Sequence, residues 1–146
     1  MTMTLGNLDN LIKTGKLKKE LPDQNEFAGM LNSAKSRLQD AQIEGLSEAS
    51  QFSLAYSASH ALALAAMRWH GYRTRERYLV FQCLEHTVGL AKEKWLVLDK
   101  CHKQRNLAEY EGQLDISSQL LHELIEITTE LLKPVESLGP VKVDSL

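Results

Sequence analysis

The sequence predicts an all-α protein, an up-and-down helical bundle of four main helices plus a short one. Apolar residues recur at intervals of three and four along most of the chain, and no stretch alternates convincingly with a period of two. The 3 prolines, Pro22, Pro134 and Pro140, all fall outside the long periodic segments, which is where a helical chain tolerates proline. At 146 residues and 43% hydrophobic content there is length and apolar material for one core, and no internal repeat divides it.

Residues 1–22 carry Leu5, Leu8, Leu11 and Ile12, enough for one or two amphipathic turns, followed by Lys13, Lys16, Lys18 and Lys19. A short docking helix and a loose arm both fit that pattern. The bundle is assigned to residues 23–133. Its first long helix follows Pro22, with Asp23 accepting from the third backbone N–H and Glu26 reaching back in a reciprocal cap. Phe27, Met30, Leu31, Ala34, Leu38 and Ala41 form its apolar face.

Ser47 and Glu48 then supply a cap and an acidic first turn for a second helix bearing Phe52, Ala55, Tyr56, Ser59, Ala63, Ala66 and Met67. The small residues Ala58, Ala61, Ala63, Ala65 and Ala66 allow close neighbours, so this helix is expected at the centre. Gly71 should close it in the left-handed conformation, with Tyr72 packing back. A short helix is expected from about Arg77 to Glu85, with a break at Gly89, and another long one from about Lys92 toward Tyr110. After Gly112, Asp115 caps the last helix, which carries Ile116, Leu120, Leu121, Leu124, Ile127, Thr128, Leu131 and Leu132 and ends at Pro134. Residues 134–146 read as a flexible tail.

Several function classes are excluded by composition. With 17 basic and 19 acidic residues the net charge is -2, which argues against binding duplex DNA through bulk electrostatics. The apolar run Ala61–Met67 is too short to span a bilayer, and the N-terminus lacks the order of a signal peptide, so a soluble cytoplasmic protein is expected. The 2 cysteines, Cys83 and Cys101, make no Cys-x-x-Cys, and the 5 histidines make no ligand spacing, so neither metal nor cofactor is expected. The 8 glycines are isolated and no Gly-x-Ser-x-Gly occurs, which removes phosphate-loop and hydrolase readings.

Two polar clusters stand out. On the helix that includes Trp95 and Leu98, helical spacing continues the stripe into His102, Arg105 and Glu109, either as a surface ion pair between Arg105 and Glu109 or as the working end of a site. In "RWHGYRTRERY", Arg68, Arg73, Arg75 and Arg77 interleave with Trp69, Tyr72 and Tyr78. That mixture suits single-stranded RNA or a nucleotide, but a helix C-terminus followed by a solvated loop accounts for it more simply.

The helix order, the segment "LAYSASHALALAAMRWHGY" and the ending "LDKCHKQRNLAEYEG" resemble the HEPN domain family over roughly residues 25–133. The resemblance implies a helical bundle, usually a homodimer, whose ribonuclease members carry an Arg-Asn or similar pair and a histidine four to six residues after the arginine. Here the pair is Arg105 and Asn106, and Tyr110 stands where the histidine would be. Metal-independent cleavage needs a group to take the 2'-hydroxyl proton near neutral pH, which histidine does and an unshifted tyrosine does poorly. His102 is the one nearby substitute base, or else a surface or interface residue. Arg105 can still grip a phosphate and Tyr110 can still stack on a base.

The expected function is therefore RNA or nucleotide binding at a dimer groove by Arg105, Asn106, Glu109 and Tyr110, with Arg73 and Arg75 contributing, and with weak or no cleavage. The resemblance also implies a possible pairing as toxin with a nucleotidyltransferase antitoxin. The alternatives are an active endoribonuclease using Arg105 with His102 or Tyr110, and a non-catalytic helical scaffold.

Overall fold

The computed structural model describes residues 5–112 and 115–142. Helix α1 (Leu5–Lys13) leads through strand β1 (Lys18–Lys19) to α2 (Gln24–Asp40) and α3 (Glu48–Trp69). Strand β2 (Tyr72–Arg73), α4 (Arg77–Gln82), α5 (Leu84–Thr87), α6 (Lys92–Glu111) and α7 (Ser118–Glu136) complete the order. The fold is all-α, dominated by long helices of 17, 22, 20 and 19 residues; β1 and β2 form only a two-residue antiparallel ladder, Lys18 with Arg73 and Lys19 with Tyr72.

Helix α3 is the centre. Ala55, Ala58, Ala63, Ala65 and Ala66 are all buried, and without bulky side chains there α2, α4, α5, α6 and α7 can all approach it. Phe52, Leu62 and Met67 fill the space between, against Leu98 of α6 and Leu124 and Leu131 of α7, where truncation to alanine costs about 2–5 kcal/mol. Ser47 caps α3 by accepting from the Ser50 N–H, and Gly71, at φ +86°, ends it as expected.

Helices α2 and α3 run antiparallel, because Glu26 at the start of α2 meets Arg68 at the end of α3. Here the reciprocal cap is corrected. Asp23 accepts from the N–H groups of both Asn25 and Glu26, but the Glu26 carboxylate turns away to Arg68 and Arg73. Two guanidiniums outcompete one backbone N–H for a carboxylate. Arg68 is buried and also donates to the carbonyls of Glu20, Leu21 and Tyr72, so it staples the N-terminal segment to the bundle. With Leu8 and Leu17 each 1% exposed, α1 and β1 are docked on the core.

Three further boundaries differ from the sequence reading. The short helix expected to Glu85 is two, α4 and α5, joined at Cys83. The cap of α7 is Ser117, which accepts from Leu120 N–H, and not Asp115. Pro134 lies inside α7 on its exposed side, where the Glu130 carbonyl it leaves unpaired can be hydrated, while Val135 next to it is fully buried. Residues 134–142 are packed: Trp69 Nε1 donates to Gly139 O at 2.9 Å, Val141 N–H donates to Gln24 Oε1 at 2.8 Å, and Val141 is buried. Residues 143–146 of the expected tail and 1–4 of the expected arm lie outside the described residues.

A candidate anion pocket between four helices

Helix α6 forms one wall. Its inward face runs from Leu98 through Cys101 to Arg105, while Trp95 turns aside to donate to Glu85 Oε1 at 3.1 Å. The Arg105 guanidinium carbon lies 5.0 Å from the centroid of the Tyr56 ring on α3, a cation–π contact. Glu109, one turn on, is largely exposed and reaches Arg105 Nε only at 3.9 Å.

The Tyr56 hydroxyl lies 2.8 Å from His102 Nδ1, and Asn106 Nδ2 lies 3.2 Å from His102 Nε2. The tautomer of the neutral imidazole sets which of the two ring nitrogens donates and which accepts. Both ring nitrogens of His102 thus have a hydrogen-bond partner within the protein. Burial lowers the His102 pKa, helped by Arg77 and Lys103 against the pull of Asp99 and Glu109. Burial raises that of Tyr56, despite Arg77 and Arg105 beside it.

His60, one turn after Tyr56, completes an aromatic cluster with Phe81, its ring 5.8 Å from that of Phe81 and 6.3 Å from that of Tyr56. Burial, then Arg77, His102 and Arg105, push its pKa down to about 4, so it is neutral at pH 7. Its Nε2 is buried with no hydrogen-bond partner.

These side chains border a cavity of about 420 Å³ between α2, α3, α4 and α6. Arg37 from α2, Arg77 from α4 and Arg105 from α6 all line it, with Ser33, Tyr56, Ser57 and His60, and no carboxylate does. Three guanidiniums around one concavity repel one another unless an anion sits between them, and a guanidinium's planar fork matches phosphate or carboxylate oxygens. Among the described residues no group of His, Cys, Asp and Glu is placed to hold a metal ion. Cys83 and Cys101 are buried, their thiols pushed up by burial to about 11 and about 12, and so are protonated and unreactive at pH 7.

Of the residues singled out in the sequence, Arg105, Asn106 and His102 come together, Asn106 by way of His102. Tyr110 does not join them: it is 94% exposed. Arg73 is occupied by Glu20 and Glu26, at 2.6 and 2.8 Å, and Arg75 lines a different cavity with Lys16, Lys18 and Thr74. Sequence reasoning missed Arg37 and His60 and gave Tyr56 only to the core. The one available signal was Tyr56 and His60 four apart in an alanine-rich helix; Arg37 offered none.

No helix among the described residues is long and apolar enough to cross a membrane. No protein-family model, no curated protein and no solved structure matches the chain.

Proposed function

We propose that this chain is a HEPN-like bundle that binds RNA or a nucleotide through its phosphate, with weak or no ribonuclease activity. The observation that carries the reading is the convergence of Arg37, Arg77 and Arg105 on one cavity with no carboxylate in its lining. Its volume of about 420 Å³ is within the usual range for small-ligand sites, roughly 300–1,000 Å³. Weak or absent cleavage is supported by the engagement of both His102 nitrogens and by the distance of character between Tyr110 and a histidine: an exposed phenol is a poor proton acceptor at neutral pH.

A homodimer belongs to the same proposal. Leu107 and Tyr110, one turn apart on the outer face of α6, are 49% and 94% exposed and can be covered by a second copy, while Lys100 and Lys103 separate them from the exposed Leu96. A nucleotidyltransferase antitoxin as partner rests on the HEPN resemblance alone.

The test is binding of a nucleotide and of single-stranded RNA by the purified protein and by Arg105→Ala, with cleavage of end-labelled RNA followed in parallel for both proteins and for Tyr110→His. Binding lost in Arg105→Ala, with little cleavage by the wild type, is expected. Wild-type cleavage abolished by Arg105→Ala would make the protein an endoribonuclease instead, and absence of binding to either ligand would overturn the proposal.

A further inference from the structure

The two ends of the pocket differ in chemistry. In the antiparallel α2–α3 hairpin, Arg37 falls toward the Tyr56 end, whereas Gly29 and Met30 fall toward Ala61 and Leu64, all of them lining the cavity. Gly29 and Arg37 are eight residues apart on one helix, about 12 Å along its axis. One end is cationic and the other is apolar. A ligand filling both needs an anionic group joined to an apolar one across that span.

Gly29 sharpens the point. It sits in the interior of α2, where glycine is the poorest helix former after proline. Nothing in the packing requires it, because a Cβ built there meets no atom within 4 Å. The glycine, itself exposed, therefore leaves bare helix backbone at the open edge of the pocket, beside the partly buried Met30 and Leu64. A bare backbone surface admits the flat face of a ring closely, and a thioether such as that of Met30 makes favourable contacts with aromatic rings. The opposite end holds a ring less well, since Arg105 already covers Tyr56.

We infer that the pocket takes a nucleoside phosphate, with its phosphate among Arg37, Arg77 and Arg105 and its base against Gly29, Met30 and Leu64. The inference rests on the phosphate-binding reading above and adds the base subsite to it. Gly29 is then a specificity-determining residue, kept at the expense of helix propensity. A nucleoside phosphate reaches the site either as a free nucleotide or as one unit of an RNA strand, and the two sources are separable.

Calorimetric titration of the full chain with ADP, with inorganic pyrophosphate as the probe lacking a base, tests the assignment. The wild type is expected to prefer ADP. Gly29→Leu places a side chain over this apolar end and should weaken ADP by about tenfold while leaving pyrophosphate within about twofold, with a melting temperature no lower than the wild type's. Arg105→Ala should weaken both ligands. If Gly29→Leu left ADP affinity unchanged, or if pyrophosphate bound as well as ADP, while Arg105→Ala still weakened binding, the base subsite would be overturned and the phosphate reading would stand. Were neither ligand to bind, and a single-stranded RNA oligonucleotide with unphosphorylated ends also not, both would fall. Displacement of ADP by that oligonucleotide supports a strand unit as the occupant, and its failure to displace supports the free nucleotide.

Discussion

Arg68, in the last turn of α3, is 2% exposed, and each of its nitrogens is bonded, to Glu26, Glu20, Leu21 or Tyr72. Arg37, Arg77 and Arg105, on the same bundle, border a cavity with no carboxylate lining it. The same side chain is used twice, once with its charge neutralised inside the fold and once with it left open. A guanidinium bonded all round is part of the architecture, whereas several that border one concavity with only loose partners inside the fold, such as the Tyr56 ring and Glu109 for Arg105, keep charge available to an anion from outside. Which role an arginine plays is decided by the carboxylates and carbonyls around it.

The largest effect expected is on the closed cluster. Arg68→Met leaves Glu26 to Arg73 alone and orphans the carbonyls of Glu20, Leu21 and Tyr72, at a cost of about 3–5 kcal/mol, with roughly 1–3 kcal/mol for each buried group left unpaired. Thermal unfolding should shift down by roughly 10 °C or more in a domain of this size. Arg105→Ala, losing a cation–π contact and a loose surface pair, should cost no more than about 1 kcal/mol by the same measurement. Equal losses for the two variants would break the distinction.

The open cluster should reverse the order when ligand affinity is read instead. Each of Arg37→Ala, Arg77→Ala and Arg105→Ala removes a charge-assisted contact of about 1.5–3 kcal/mol, roughly 10- to 100-fold in the dissociation constant of a nucleotide. Arg75→Ala, whose side chain borders the other cavity, should leave that constant unchanged.

Acid should weaken the fold through both regions at different pH. His60 is held down to about 4, so between pH 6.5 and 4 the unfolded chain takes up a proton that the folded one refuses, and stability falls as pH drops through that window. His70 and His102, also lowered by burial, act in the same direction. The Glu26 carboxyl, although burial raises it, is held below 4.5 by its hydrogen bonds to Arg68 and Arg73, so its contribution persists above pH 4.5 and is lost below. Denaturant melts of His60→Gln should show the first decline reduced by on the order of 2 kcal/mol and the second intact.

The long helices were legible because their signals are local: Ser47, Gly71 and Gly112 mark ends within a turn of themselves. Signals that depend on distant packing were misread. Glu26 forms half of a local box in the sequence, but its partners, Arg68 and Arg73, arrive from another element. Pro134 should stop a helix, and the burial of Val135 carries α7 past it. The site divides likewise: Arg105 and Asn106 lie one turn after His102 on one helix and could be read together, whereas Tyr56, His60 and Arg37 join them only when α3 packs against α6 on one side and α2 on the other.

The smallest effect expected is at Glu109, a carboxylate beside the Arg105 end of the open cluster. Its 3.9 Å approach to Arg105 Nε and its exposure make the pair worth only a few tenths of a kcal/mol to the helix. Glu109→Gln should therefore leave the melting temperature within about 1–2 °C of the wild type. Affinity for an anion should rise, by about twofold at low salt, because a competing negative charge has gone, and the gain should fade as ionic strength screens it. A fall in affinity would mean that Glu109 holds Arg105 in its binding position, and the open cluster would then share the architecture of the closed one.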